Sequence, residues 1–92
     1  MKVSELIAEL SKCPGDAEVF FDSDGEAADI GEIHFSREVI EPCAYWDDTI
    51  TEDKWEDVIN DRIWHDFSDE DIERYHSLIT NDAPIKSVIL DI

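Results

Sequence analysis

Residues 85–92 read IKSVILDI, and this stretch decides the fold class. Its alternate positions form two sets, with Val88, Leu90 and Ile92 on one side and Ser87, Ile89 and Asp91 on the other. A period of two is typical of a β-strand. Because both sets contain apolar residues, we expect this strand to be internal in its sheet, covered on both faces.

Two helical patterns precede this strand. Over residues 51–65 the helical face at i, i+3, i+4, i+7 and i+8 consists of Trp55, Val58, Ile59, Arg62 and Ile63, with Thr51 as a candidate N-cap. A second helix begins after Ser68, which forms a capping-box pattern with Asp71. Its apolar stripe is Ile72, Tyr75 and Ile79, and residues 81–84 (NDAP) end it.

The N-terminal part predicts a short helix followed by strands. The helix carries Val3, Leu6, Ile7 and Leu10 on one face, with Ser4 as a candidate cap. Residues 17–22 and 30–35 predict two strands joined by a turn at residues 23–26, and residues 37–41 extend the second strand or form a third. We therefore expect one acidic α+β domain over residues 1–92: an antiparallel sheet of three to four strands, packed on one side with an N-terminal helix and two mid-chain helices.

The charge balance restricts the possible partners. The 92 residues include 25 Asp and Glu but 7 Lys and Arg, which gives a formal net charge of −18. Small soluble domains usually carry a net charge of about 2–8 in magnitude. This excess argues against direct binding to duplex DNA, which needs basic residues, and against an anionic membrane surface. No apolar run reaches the roughly 20 residues of a membrane span, and Cys13 and Cys43 are expected to be reduced thiols in the host cytoplasm.

The strongest functional signal is the acidic segment, residues 47–73, which holds twelve acids and two bases. Asp53, Asp57 and Asp61 are spaced i, i+4 and i+8, and Glu52 and Glu56 form a parallel row. Such neighbours on a helix stand about 5–6 Å apart. Rows of carboxylates imitate coarsely the field of a nucleic acid, and a cationic groove would attract them. The alternative is a solvated helix face that keeps the protein soluble.

Aromatic residues beside these acids supply a candidate anchor. Trp46 and Asp47 lie in an expected loop, and tryptophan is favoured at protein interfaces. The alternative is that Trp46 packs under the sheet. The predicted partner-binding residues are therefore Asp53, Asp57, Asp61, Glu52, Glu56, Trp46 and Asp47.

Motifs for catalysis or metal binding are weak. Residues 22–26 (DSDGE) lack the glycine and glutamate spacing of an EF-hand, and the Glu-x-x-His half-motif at residues 73–76 occurs once. The histidines and cysteines form no pair at zinc-finger spacing. A zinc site assembled by the fold from residues distant in sequence is the alternative. We predict that the protein is not an enzyme and that it has no cofactor and no metal ligands.

A resemblance adds a biological setting. Residues 3–10 (VSELIAEL) and 13–19 (CPGDAEV) resemble the start of short phage and prophage reading frames, over about residues 3–35. The acidic half is similar in character to phage-encoded inhibitors of host defence, anti-CRISPR proteins in particular. These are small, often strongly acidic and without shared signatures. The resemblance implies binding to a CRISPR-Cas effector complex, and it carries over no functional residue by motif.

The sequence leads to one functional hypothesis with three alternatives. We expect a phage-encoded anti-CRISPR protein that binds the Lys/Arg-rich nucleic-acid channel of a CRISPR-Cas effector complex and blocks target DNA binding. The first alternative is a DNA-mimic inhibitor of another host enzyme, such as a restriction enzyme or uracil-DNA glycosylase. The second is a phage accessory protein that binds a host regulator through its sheet edge. The third is a metal-dependent enzyme.

Overall fold

The computed structural model describes residues 1–22, 29–45, 48–60 and 67–91. These residues contain three helices and three strands, in the order α1 (Val3–Leu10), β1 (Glu18–Asp22), β2 (Glu32–Ser36), α2 (Trp55–Asn60), α3 (Asp69–Thr80) and β3 (Ser87–Asp91). This content of helices and strands confirms the predicted α+β class. The expected turn at residues 23–26 lies outside the described residues.

The sheet has the strand order β1-β3-β2. β1 pairs with β3 in parallel, Glu18 opposite Ser87, whereas β2 pairs with β3 antiparallel, Glu32 opposite Asp91. The prediction of an internal C-terminal strand is confirmed. The prediction of an antiparallel sheet is wrong, because β3, apolar on both faces, separates the two strands that were expected to form a hairpin.

The strand predicted over residues 37–41 is also wrong, since this described stretch contains no strand. Its backbone donors bond to side chains instead of to a neighbouring strand. The N–H of Arg37 donates to the Tyr75 hydroxyl at 3.2 Å, and the N–H of Ile40 donates to Oγ of Ser87 at 3.1 Å. The chain therefore leaves the sheet after Ser36.

α1 lies beside one face of the sheet, and the segment that precedes α2 lies against the other face. Side chains alternate along a strand, so Ser36 and His34 share one face and Ile33 lies on the other. Ser36 Oγ donates to the carbonyl of Ile50 at 2.6 Å, which places the segment before α2 on the His34 face. α1 lines shallow pockets with Ile33, Val19 and Val88, on the opposite face. The expectation of packing on one side was wrong, because β3 offers apolar side chains to both.

The helix ends follow local chemistry. Lys2, rather than the predicted Ser4, is the N-cap of α1, and no side chain caps this end. The predicted capping box of α3 is confirmed: Ser68 Oγ accepts from the N–H of Asp71, whose carboxylate accepts from the N–H of Ser68. α3 ends at Thr80, and Asp82, two residues later, has a positive φ of 52°. In the described part of the chain, no helix combines the length and the apolar character that crossing a membrane requires.

The core is small and half polar. Among the described residues, the buried apolar ones are Ile40, Ile50, Val58, Tyr75, Val88 and Ile89, and the buried polar ones are His34, Ser36, Thr49, Thr51, Lys54 and Ser87. No side chain of α1 is buried by the residues that the structure describes, and Val3 and Ile7 are 75% and 60% exposed. The predicted amphipathic helix is present, but much of its apolar stripe faces solvent.

Candidate protein-binding face

The acids of the predicted rows lie on a helical turn that leads into α2. The N–H of Trp55 donates to the carbonyl of Thr51 at 3.0 Å, and the N–H of Val58 donates to that of Lys54 at 3.0 Å. Helical hydrogen bonding thus begins at Thr51, four residues before the first residue of α2. Asp53 and Asp57 therefore keep the i, i+4 relation that the sequence predicts.

Glu52 fixes this turn to the sheet. Its Oε1 accepts from Arg37 Nε at 2.8 Å and from the Tyr75 hydroxyl at 2.6 Å, and its N–H donates to the carbonyl of Phe35 at 2.8 Å. The bond to Glu52 raises the pKa of Arg37. Burial, and then the bond to Glu52, raise the pKa of Tyr75. Glu52 is thus a structural anchor as well as a member of the predicted row.

Asp53 is held by two neighbours. Its Oδ1 accepts from the Thr51 hydroxyl at 2.7 Å, and its Oδ2 lies 2.7 Å from Nδ1 of His34. Burial raises the pKa of Asp53, but the hydrogen bonds from Thr51 and His34 and the charge of His34 together outweigh it, and the pKa ends below its ordinary value. Asp53 is therefore a fixed carboxylate, and its side chain remains 56% exposed.

Glu56 and Asp57 project into solvent from the first turn of α2. Neither forms an ion pair with any residue in the described ranges. Asp53, Glu56 and Asp57 together form what we call the acidic face.

The chain's cations are largely engaged in internal contacts. Of the six Lys and Arg side chains in the described residues, four contact other groups of the chain: Lys12 with Glu9, Arg37 with Glu52, Lys54 with the carbonyl of Thr49, and Arg74 with Glu38 and Asp71. Lys54 also lies over the Phe67 ring, with its Nζ 5.1 Å from the ring centroid. Because these four cations contact groups other than Glu56 and Asp57, they do not neutralise those two carboxylates of the acidic face.

The structure brings four of the predicted binding residues together. Glu52, Asp53, Glu56 and Asp57 share one turn and the start of α2. The other predictions, Asp61, Trp46 and Asp47, lie outside the described residues.

The sequence did not reveal the groups that position this turn. Their sequence separations explain why: Arg37 is 15 residues and Tyr75 is 23 residues from Glu52, and His34 is 19 residues from Asp53. Tyr75 was expected on an apolar stripe, yet a stripe does not identify the partner of a hydroxyl.

The two cysteines carry free thiols. Cys13 is half-buried, and this burial, followed by the nearby charge of Glu9, raises the pKa of its thiol. A raised pKa reduces the thiolate fraction, so Cys13 is a poor nucleophile at neutral pH.

The chain matches no model of a protein family, no curated protein and no solved structure.

Proposed function

We propose that this protein is an acidic inhibitor that binds the nucleic-acid channel of a CRISPR-Cas effector complex and blocks target DNA binding. One observation carries the proposal: Asp53, Glu56 and Asp57 present carboxylates at helical spacing on a turn that is fixed to the sheet. The resemblance to short phage reading frames supplies the setting.

The rigidity of the acidic face favours binding. Glu52 is tied to Arg37 and Tyr75, and Asp53 is tied to Thr51, so the backbone of this turn is ordered before a partner arrives. Preorganisation reduces the entropy that association loses. Uncompensated charge on a fixed surface also steers a basic partner at long range and sets its register.

Restriction enzymes and uracil-DNA glycosylase have basic nucleic-acid sites of the same kind, so the acidic face is also compatible with a DNA mimic directed at such an enzyme. The identity of the basic partner separates these two hypotheses. The geometry of the acidic face is common to both.

A second candidate function is favoured by the exposed edge strand. β1 pairs on one side with β3, and its Phe21 and Val19 are 71% and 49% exposed. An accessible edge with large apolar side chains suits a partner that adds a strand to the sheet. This is the alternative in which the protein binds a host regulator through its sheet edge.

A DNA-binding assay with a purified multi-subunit CRISPR effector complex tests the proposal. Target duplex carries a fluorophore, and anisotropy is followed as the protein is added. The test variant is a double variant that combines Glu56→Lys and Asp57→Lys. The matched control is Glu5→Lys with Asp16→Lys, two exposed acids outside the acidic segment. Each acid-to-lysine change adds two positive charges, so both double variants take the net charge from −18 to −14.

Wild type is expected to reduce DNA binding, and the test variant to inhibit at least about tenfold more weakly, because like charges across an interface are strongly unfavourable. The control has the same net charge as the test variant, but its two changed residues lie outside the acidic segment, where salt screens their charges from the interface, so its inhibition should stay within about threefold of wild type. Equal loss in both variants would show that overall charge, and not the acidic face, governs binding. Loss of inhibition in Phe21→Ser with no loss in the test variant would mean that the protein contacts the effector complex through the edge strand β1 and not through the acidic face.

A further inference from the structure

Three potential metal ligands meet at one end of the sheet. Glu32 and His34 are two residues apart on β2 and therefore share a face, and Asp91 of β3 lies directly opposite Glu32. Nε2 of His34 lies 3.3 Å from Oε2 of Glu32 and 3.5 Å from Oδ2 of Asp91. All three ligand atoms lie within 4.8 Å of one another.

The histidine ring is fixed in the orientation that a metal ligand needs. Its side chain is 4% exposed, and its Nδ1 lies 2.7 Å from Oδ2 of Asp53. Because Asp53 is a carboxylate, it accepts a hydrogen bond from Nδ1–H of His34, and Nε2 is the nitrogen directed at Glu32 and Asp91. In protein metal sites, the second nitrogen of a ligating histidine almost always donates a hydrogen bond to a carboxylate, a backbone carbonyl or water.

We propose that Glu32, His34 and Asp91 bind a divalent transition-metal ion of the zinc class through Oε2, Nε2 and Oδ2, with Asp53 as the positioning residue. Zinc bonds to nitrogen and oxygen measure about 2.0–2.1 Å, which places two ligands of a tetrahedral ion about 3.3 Å apart. The distances of 3.3 and 3.5 Å from Nε2 of His34 to the carboxylate oxygens of Glu32 and Asp91 match this separation between ligands. Imidazole as a ligand favours zinc and its neighbours over Ca²⁺ or Mg²⁺.

Charge and access agree with this assignment. Three carboxylates, those of Glu32, Asp53 and Asp91, surround a single imidazole, and a divalent cation neutralises most of that charge. The Glu32 and Asp91 side chains are 70% and 49% exposed, so an ion and a fourth ligand from water can enter from solvent. The competing arrangement is a doubly protonated His34 that pairs with the carboxylates and binds no metal.

Zinc titration of the full chain distinguishes these arrangements. Calorimetry is performed with Zn²⁺ in millimolar Mg²⁺, which occupies the diffuse cation atmosphere of so acidic a protein. The expected result is saturable binding of one Zn²⁺ per chain at micromolar concentration. Co²⁺ in place of Zn²⁺ should give the visible absorption of a four-coordinate nitrogen and oxygen site.

Single substitutions locate the site. Glu32→Gln and Asp91→Asn change exposed side chains, so the fold is expected to survive, which melting without metal checks. Each should weaken zinc binding at least tenfold. Asp53→Asn should weaken it about 10–100-fold, as for other carboxylates that orient a ligand, and should shift the Co²⁺ bands because the imidazole becomes a weaker donor. Asp16→Asn, an exposed acid near the opposite end of the sheet, is the control and should bind zinc like wild type.

Three results would overturn the proposal. The first is the absence of saturable zinc binding in millimolar Mg²⁺. The second is equal weakening by Asp16→Asn and Asp91→Asn, which indicates diffuse condensation of cations. The third is a folded Asp91→Asn variant that binds zinc as tightly as wild type.

Discussion

Removing the hydroxyl of Tyr75 tests whether the acidic turn is held to the sheet by the Glu52 network. Tyr75 is fully buried; its hydroxyl donates to Oε1 of Glu52 at 2.6 Å and accepts from the N–H of Arg37 at 3.2 Å. Tyr75→Phe keeps the ring, which lies 5.3 Å from the ring of Trp55, and removes both hydrogen bonds.

The expected loss follows from these two bonds. A hydrogen bond to a charged group contributes about 1.5–3 kcal/mol, and the lower end applies because water can reach Glu52, whose side chain is 33% exposed. The N–H of Arg37 loses its acceptor, which adds part of the roughly 1–3 kcal/mol penalty for an unsatisfied buried group. The free energy of unfolding should fall by about 2–3 kcal/mol. For a domain of this size that lowers the Tm by about 10–20 °C.

Thermal and urea unfolding, followed by circular dichroism, measure this loss. Tyr45→Phe is the matched control, because it removes the same atom from a residue that is 77% exposed, and its Tm should not change. In a Glu52→Gln background, Tyr75→Phe should have a smaller effect, since the charged acceptor is gone. A loss below about 0.5 kcal/mol for Tyr75→Phe in the wild-type background would refute the idea that this network anchors the turn.

Two further predictions concern α3. Asp82 has a φ of 52°, and the N–H groups of Asp82 and Ala83 donate to the carbonyls of Ile79 and Leu78, an arrangement that favours glycine at position 82. Asp82→Gly should therefore raise the free energy of unfolding, measured by urea titration, by about 0.5–1 kcal/mol. A decrease would contradict this reasoning. The bond from Arg74 lowers the pKa of Asp71 below 3.8, so its contribution to stability is complete above that pH and is lost as the pH falls below it. The Tm difference between wild type and Asp71→Asn should accordingly shrink between pH 6 and pH 3, and a constant difference would show that this charge does not stabilise α3.

The parts of the fold that local sequence determines were predictable. β3 was expected at the centre of the sheet because Val88, Ile89 and Leu90 make both of its faces apolar. The start of α3 was expected from Ser68 and Asp71, which are three residues apart. In both cases the relevant contacts or patterns lie within one element.

The pairing of strands was not predictable in the same way. A turn signal after β1 favours a hairpin locally, but β3, more than 60 residues later in the chain, lies between β1 and β2. The exposure of Val3 and Ile7 was missed for a related reason. Periodicity shows that a helix has an apolar face, but it does not show how much of that face the rest of the chain covers.

The candidate sites show the same division. Asp53 and Asp57 were found because helical spacing relates them directly. The cluster of Glu32, His34 and Asp91 joins two strands from distant parts of the sequence, so no motif spacing could indicate it.

A competition titration tests most directly whether the acidic face occupies a nucleic-acid channel. Fluorescently labelled protein is bound to a purified multi-subunit CRISPR effector complex, and unlabelled target duplex is added at constant salt. We predict that DNA displaces the protein, that the displacement follows simple competition for one site, and that the protein binds no duplex by itself. A ternary complex, in which the effector binds DNA with unchanged affinity while the protein stays bound, would contradict the proposed function.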